Sequence, residues 1–234
     1  MKPSRVTATR LVPSLAWLLA FALFALLYIS LRDVFPHGVG WFFKVIPIAL
    51  LLQLVVAKAS GKTRNYLVAA LVLSGIGDTL LSPDGLFIPG LGAFLLAQLT
   101  YTALFLTQFR WRVGRLPWAS AILAYTLACT LFIIPQTGDL QLVTTVYMIA
   151  ISLMAISAGF RDDSQFLWVA LGALLFMVSD TLIAIDKFVS PFAGSDVAIM
   201  ATYYAAQLLI CVGTLVSCPP DVTGNAPAAP APQE

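Results

Sequence analysis

Eight apolar runs, separated by short polar stretches, follow one another along the chain as far as residue 217. A helix needs about 20 apolar residues to cross the hydrocarbon core of a bilayer, and each run is close to that length. The pattern therefore predicts an all-α, polytopic membrane protein with eight transmembrane helices. The predicted helices span residues 11–31, 40–57, 65–82, 88–109, 116–134, 140–159, 165–185 and 196–217. Seven helices is the competing count, because only a polar stretch from Lys58 to Arg64 separates the short second and third runs.

Composition supports a membrane protein. Hydrophobic residues make up 60% of the 234 residues and charged residues only 10%, whereas about 25% of the residues in a soluble domain are charged. We predict a single transmembrane domain over residues 1–218. Without a soluble basic surface, nucleic acid is not expected as a partner.

The basic residues predict which way the bundle faces. Positive charge collects on the cytoplasmic side of membrane proteins. Three basic residues fall on one predicted side: Arg32, Lys44 and Lys187. The other ten fall on the opposite side: Lys2, Arg5, Arg10, Lys58, Lys62, Arg64, Arg110, Arg112, Arg115 and Arg161. We therefore expect both termini to be cytoplasmic, with a disordered tail rich in proline and alanine at residues 219–234.

Two of the apolar runs carry an aspartate in nearly the same local sequence, Gly77–Leu81 and Ser179–Ile183. A charge at the centre of a bilayer costs roughly 2.5–3.5 kcal/mol on insertion scales, so a repeated aspartate points to function. The aspartates are 102 residues apart, and Ala97–Leu99 matches Ala206–Leu208 at an offset of 109. These matches suggest two parallel four-helix halves, residues 11–109 and 116–217.

The repeat predicts where Asp78 and Asp180 lie. The third and seventh predicted helices run in the same direction, and each aspartate lies about 20 Å along its helix at 1.5 Å per residue. We therefore expect the two carboxylates at a similar depth, facing each other across a central cavity. The alternative is that each aspartate only hydrogen-bonds a neighbouring helix.

Two sequestered carboxyl groups are suited to acid and base chemistry. Burial favours the protonated form of a carboxyl group, and a nearby like charge favours it further, so one aspartate can donate a proton while the other stays anionic. This arrangement suits the hydrolysis of an acid-labile ether through an oxocarbenium-like species. No metal or other cofactor is expected, since the one histidine, His37, is predicted to lie in a loop.

Other polar residues inside the apolar runs are candidates for substrate binding. They are Lys44, Gln98, Tyr101, Tyr203, Tyr204 and Gln207. A lysine near the carboxylates would keep one of them ionised or bind a phosphate. The alternative for Lys44 is that its amine reaches to the membrane interface.

Several segments resemble the YhhN-type lysoplasmalogenase family over roughly residues 40–215. The segments that carry the resemblance are Lys44–Pro47, which is similar to that family's Lys-x-x-Pro segment, Gly77–Leu81, Phe87–Phe94, Gly172–Asp180 and Thr202–Ile210.

The resemblance implies an eight-helix membrane enzyme without a metal that hydrolyses the vinyl ether bond of a lysoplasmalogen. The products would be a fatty aldehyde and glycerophosphoethanolamine or glycerophosphocholine. Asp78 and Asp180 match the family's two intramembrane aspartates. The sequence does not decide which of them is the acid, although the apolar setting of Asp180 beside Phe176 and Met177 favours Asp180.

Many relatives have a His-x-x-Tyr pattern where this chain has Gln98 and Tyr101. Because glutamine cannot shuttle a proton, either that histidine only hydrogen-bonds in the relatives or the activity of this chain is altered. The expected partners are a lysophospholipid substrate and the lipids of a membrane, with the bacterial cytoplasmic membrane as the expected location.

Two other functions remain open from the sequence. A proton-coupled transporter of a small molecule or lipid would also use buried acids, although neither aspartate run contains a proline. A non-catalytic lipid-binding or scaffold protein would need the aspartates only for its structure.

Overall fold

The computed structural model describes residues 12–32, 34–35, 39–83 and 85–217. The predicted tail at 219–234, the loop residue His37 and Cys218 lie outside the described residues. Within the described ranges, the regular structure is helical, as the apolar pattern predicts.

Eight α-helices form the bundle, and each begins and ends within four residues of a predicted run. They are α1 (Leu15–Leu31), α2 (Gly40–Lys58), α3 (Gly61–Leu80), α4 (Phe87–Leu106), α5 (Leu116–Ile133), α6 (Gln141–Gly159), α7 (Phe166–Ala184) and α8 (Ser195–Ser217). A π-helical turn, Ile185–Val189, continues α7. Short 3₁₀ turns lie at Val113–Arg115, Ile134–Gln136 and Gly138–Leu140.

The structure confirms the predicted break between α2 and α3, so these are two helices and not one. Ala59 is extended after the end of α2, and α3 begins at Gly61, whose φ of 57° is in the left-handed region that glycine adopts without strain. Among the described helices, six are long and apolar enough to cross a membrane. The exceptions are α1, with 17 residues, and α3, whose first turn is polar. Eight membrane crossings and cytoplasmic termini therefore stay predictions.

The tightest helix contact joins α7 to α8, and glycine makes it possible. A Cβ atom on Gly172 would lie 2.9 Å from both the carbonyl oxygen of Ala206 and the backbone nitrogen of Ile210. On the other side of the contact, a Cβ atom on Gly213 would lie 2.9 Å from the Cβ of Trp168. Small residues at these positions let the two backbones approach closely, which holds the Asp180 helix firmly against α8.

The helix contacts follow a regular scheme. α3 packs on α4 as α7 packs on α8, and α4 packs on α6 as α8 packs on α2. A twofold relation between residues 11–109 and 116–217 would produce these pairs. The duplication itself stays a prediction.

A polar cluster closes the end of the bundle where the α4–α5 and α6–α7 loops meet. Arg161 is fully buried there, with Nε 2.8 Å from Asp163 and Nη2 2.7 Å from the side-chain oxygen of Gln108. The hydrogen bond from Arg110 lowers the pKa of the Asp162 carboxyl, against a smaller opposing effect of burial. Most of the basic residues predicted to be cytoplasmic therefore mark one end of the bundle, and both aspartates lie toward the other.

We expect Gly172→Ala to destabilise the protein, because the added methyl group meets backbone atoms of α8 that cannot move aside singly. Overpacking of this kind costs about 1–3 kcal/mol. Gly92→Ala on α4 is the matched control, since nothing lies within 4 Å of its added Cβ. Thermal unfolding in detergent, followed by tryptophan fluorescence, would measure the difference. Equal unfolding temperatures for the two variants would contradict the close α7–α8 contact.

Candidate active site

The two intramembrane aspartates border the same small cavity. Asp78 comes from the last turn of α3 and Asp180 from the last two turns of α7. Lys44 and Tyr203 also line this cavity. The structure therefore brings together four of the residues singled out from the sequence, and the aspartates do not point to opposite faces of the bundle.

Asp78 is held by one cation and one hydroxyl group. Its side chain is buried, the Nζ atom of Lys44 lies 3.3 Å from Oδ1, and Tyr203 donates a hydrogen bond of 2.7 Å to Oδ2. Only 14% of the Lys44 side chain is exposed. The amine of Lys44 is therefore directed into the bundle to pair with Asp78, and it does not extend to the interface.

Pro47 interrupts the hydrogen bonding of α2 close to Lys44. A proline inside a helix lacks an N–H and its ring pushes against the carbonyl group four residues earlier, which here belongs to Phe43. The neighbouring carbonyl oxygen of Lys44 has a partner on another helix, because the hydroxyl of Tyr204 donates to it at 2.7 Å. The Lys-x-x-Pro segment is thus tied to α8 one residue away from Tyr203.

Asp180 is held by neutral donors. Tyr147 on α6 donates a hydrogen bond of 2.5 Å to Oδ2, and Gln98 on α4 donates one of 3.2 Å to the same oxygen. Among the described residues, none donates a hydrogen bond to the other oxygen, Oδ1. The carboxyl group therefore keeps one oxygen for the cavity.

Tyr147 is the site residue that our sequence analysis missed. It follows Lys44 by 103 residues, almost the same spacing as between the two aspartates. In the structure, each aspartate takes one partner from the helix before its own and one from the last helix of the other half. The repeat spacing is therefore the signal that could have marked Tyr147 in the sequence. The residues around Tyr147 share no motif with those around Lys44.

Three of the predicted substrate-binding residues lie in the protein interior instead. Tyr101 donates to the side-chain oxygen of Gln207 at 2.6 Å, and Gln207 donates to Ser74 at 3.0 Å. Tyr204, Tyr101 and Gln207 are buried, and none of them lines the cavities beside the aspartates. Tyr101 and Gln207 thus join α3, α4 and α8, and Tyr204 joins α8 to α2.

A second, apolar cavity adjoins the first. It has about 540 Å³ of empty space, part of it open to the surroundings, between α4, α6 and α7. Asp180, Leu81, Phe94 and Ile183 border both cavities. Phe94 approaches α3 so closely that a Cβ atom on Gly77 would lie 2.5 Å from its ring. Asp180 therefore stands where an apolar space meets a polar one.

The arrangement places several titratable groups beside an apolar cavity. Among the described residues, no three His, Cys, Asp or Glu side chains come together as ligands of a metal would. The titratable groups at the junction are the two carboxyls, the amine of Lys44, and the hydroxyls of Tyr147 and Tyr203.

Comparisons with known proteins point to one family. The model of the YhhN family matches residues 39–214 of this chain. The chain is 34% identical over 179 residues to a protein from Mycobacterium tuberculosis (strain CDC 1551 / Oshkosh) named "Lysoplasmalogenase", covering 73% of this chain and 68% of the relative. It is 32% identical over 209 residues to human "Lysoplasmalogenase TMEM86B", covering 86% and 87%. It is also 32% identical over 201 residues to "Lysoplasmalogenase TMEM86A" of Bos taurus, covering 79% and 82%.

No solved structure matches this chain. The match to the family extends from the start of α2 into the last turns of α8, and it includes every residue of the two cavities. The chain belongs to the YhhN family.

Proposed function

We propose that this protein is a lysoplasmalogenase. It hydrolyses the vinyl ether bond of a lysoplasmalogen in the membrane and releases a fatty aldehyde and glycerophosphoethanolamine or glycerophosphocholine. The observation that carries the proposal is the position of Asp180, at the junction between an apolar cavity and the cavity that holds the Asp78–Lys44 pair. The names of the relatives agree with this chemistry.

The different partners of the two aspartates support a different role for each of them. Lys44 compensates the charge of Asp78, so Asp78 is the carboxylate that stays ionised. Asp180 has only a hydroxyl and an amide as partners. A carboxylate without a cation is costly in an apolar site, so Asp180 is the aspartate that carries the proton.

Asp180 acts first, as the general acid. Its proton goes to the alkene carbon that bears the alkyl chain, and an oxocarbenium ion forms at the carbon bonded to oxygen. Tyr147 and Gln98 donate to the carboxylate that remains. Hydrogen-bond donors that face a developing charge lower the barrier.

Asp78 acts next, as the general base. It takes a proton from a water molecule, which adds to the oxocarbenium carbon and gives a hemiacetal. Asp78 then returns this proton to the glycerol oxygen as the carbon–oxygen bond breaks. The hemiacetal hydroxyl gives its own proton to Asp180, so the aldehyde leaves and both carboxyl groups are restored.

The role of Gln98 explains the departure from the family's pattern. Gln98 is fully buried and donates an N–H to Asp180. A histidine at the same place can also donate an N–H. We therefore propose that this position supplies a hydrogen bond and that no proton is shuttled through it, so the glutamine is compatible with activity.

The substrate reaches the site from the bilayer, because the apolar cavity is formed by helices of a multi-pass membrane protein. If both termini are cytoplasmic, the site faces the outer half of the membrane. A bacterial cytoplasmic membrane stays the predicted location.

The function is tested with purified protein and two substrates, a lysoplasmalogen and its acyl analogue. We expect aldehyde from the first and no fatty acid from the second, because carbon protonation requires the electron-rich vinyl ether. Absence of aldehyde, together with proton-coupled uptake of the lipid into liposomes, would replace this proposal with transport.

Replacing either aspartate with asparagine should lower aldehyde release by about 10²–10⁴-fold, the range contributed by general acid–base catalysis. Asparagine keeps the size of the side chain and its hydrogen bonding but cannot exchange the proton. Asp139→Asn, in an exposed turn at the same end of the bundle, is the control. A rate above a tenth of wild type in Asp78→Asn or Asp180→Asn would contradict the two-carboxylate mechanism.

Lys44→Met separates the structural role of the ion pair from its catalytic role. Removing the cation leaves a buried carboxylate uncompensated, which costs up to about 3–5 kcal/mol of stability. The double variant Lys44→Met/Asp78→Asn removes both charges and should regain most of that stability without regaining activity. Thermal unfolding and aldehyde release, measured on the same preparations, would show this. An active double variant would mean that the pair serves folding alone.

A further inference from the structure

An aromatic pair lines the apolar cavity at the end where α4 begins, which we call the mouth of the cavity. Phe87 begins α4 and Phe188 lies in the π-helical turn after α7, and both line the cavity. Their ring centroids are 5.7 Å apart and the rings meet edge to face at 82°. A molecule that enters from this end of the bundle therefore passes these two rings before it reaches Asp180.

Lys187 stands beside this aromatic pair. Its Nζ atom lies 5.3 Å from the centroid of the Phe87 ring, and its side chain is exposed. Lys187 follows Asp180 by seven residues, two turns along the same helical segment, which is a rise of about 10 Å at 1.5 Å per residue. Lys187 lies in the π-helical turn Ile185–Val189 next to Phe188, which lines the cavity.

Lys187 has no acidic partner within the described part of the chain. The other two basic residues at this end are paired, Lys44 with Asp78 at 3.3 Å and Arg32 with Asp196 at 3.5 Å. The neighbouring carboxylate of Asp186 accepts a hydrogen bond from the backbone nitrogen of Phe192 at 3.3 Å. The ammonium group of Lys187 therefore lies beside the mouth without an acidic partner among the described residues, where it can bind an anion.

We propose that Lys187 binds the phosphate of the lysophospholipid whose chain occupies the apolar cavity. This inference rests on the proposed function, because the reacting vinyl ether must lie beside Asp180. Six bonds separate the carbon that becomes the oxocarbenium centre from the phosphorus atom, about 7–8 Å when extended, from single bonds of about 1.5 Å. The side chain of Lys187 bridges the remaining distance.

The proposal defines what the mouth recognises. A lysine ammonium is a compact charge that binds phosphate without requiring a fixed geometry. The ethanolamine or choline group lies beyond the phosphate and is not contacted by Lys187. The enzyme therefore selects for a phosphate on the lipid and discriminates weakly between the two amine headgroups.

Steady-state kinetics test this with two substrates that share the same alkenyl chain. One is lysoplasmenylethanolamine and the other is the alkenylglycerol that lacks phosphate. We expect Lys187→Gln to raise KM for the phosphate-bearing substrate about tenfold with kcat unchanged, since a hydrogen bond to a charged group is lost. KM for the alkenylglycerol should stay the same, and Lys187→Arg should keep most of the affinity.

Lys62→Gln is the matched control, because Lys62 is exposed at the opposite end of the bundle. It removes one positive charge without touching the mouth. An equal KM for wild type and Lys187→Gln would overturn the proposal. So would an equal rise with both substrates, because the lysine would then shape the mouth and not bind phosphate.

A binding measurement separates the failure of this inference from the failure of the proposed function. A lysophospholipid with a saturated alkyl ether chain has no vinyl ether to hydrolyse, so its Kd reports binding without any contribution from the reaction. Weaker binding by Lys187→Gln supports the phosphate site even if wild type releases no aldehyde. If binding is unchanged and the wild type releases aldehyde, the phosphate site is overturned and the proposed enzyme activity stands.

Discussion

The burial of a carboxylate is the constraint on which the site depends. Asp78 is almost fully removed from solvent, and no single neighbour would make that position tolerable in an apolar bundle. Lys44 supplies the opposite charge and Tyr203 a hydrogen bond. The backbone of Lys44 is itself tied to α8, because its carbonyl oxygen accepts a hydrogen bond from Tyr204. Three helices, α2, α3 and α8, are thus held together by the requirements of one charged group.

A second carboxyl group in related surroundings turns this structural arrangement into a chemical one. Asp180 takes partners from the corresponding helices, but its partners, Tyr147 and Gln98, carry no charge. The two halves of the site are therefore similar in position and different in electrostatics. In the proposed mechanism this difference makes one carboxyl group the acid and the other the base.

The two cavities separate the apolar part of the site from its polar part. Phe94 separates the polar cavity from the apolar one, and it fits there because Gly77 leaves no side chain in its way. A hydrocarbon chain in the apolar cavity could thus lie close to the ion pair without contacting it. At the other end of the apolar cavity, the π-helical turn carries Phe188, which lines the cavity, and Lys187, whose amine lies over the ring of Phe87. One continuous helical segment therefore carries both Asp180 and the groups at the mouth.

The amino-acid sequence by itself determined the helices and the two aspartates, because apolar runs of membrane length and charges inside them are local properties of the chain. It also placed Lys44, Tyr203 and Gln98 among the candidates. Only the tertiary structure decided which polar groups meet. It paired Lys44 with Asp78, brought Tyr147 to Asp180, and put Tyr101 and Gln207 behind the site. Those contacts join helices far apart in the chain, and the direction of a side chain across a helix interface depends on rotation and close packing that no local pattern encodes.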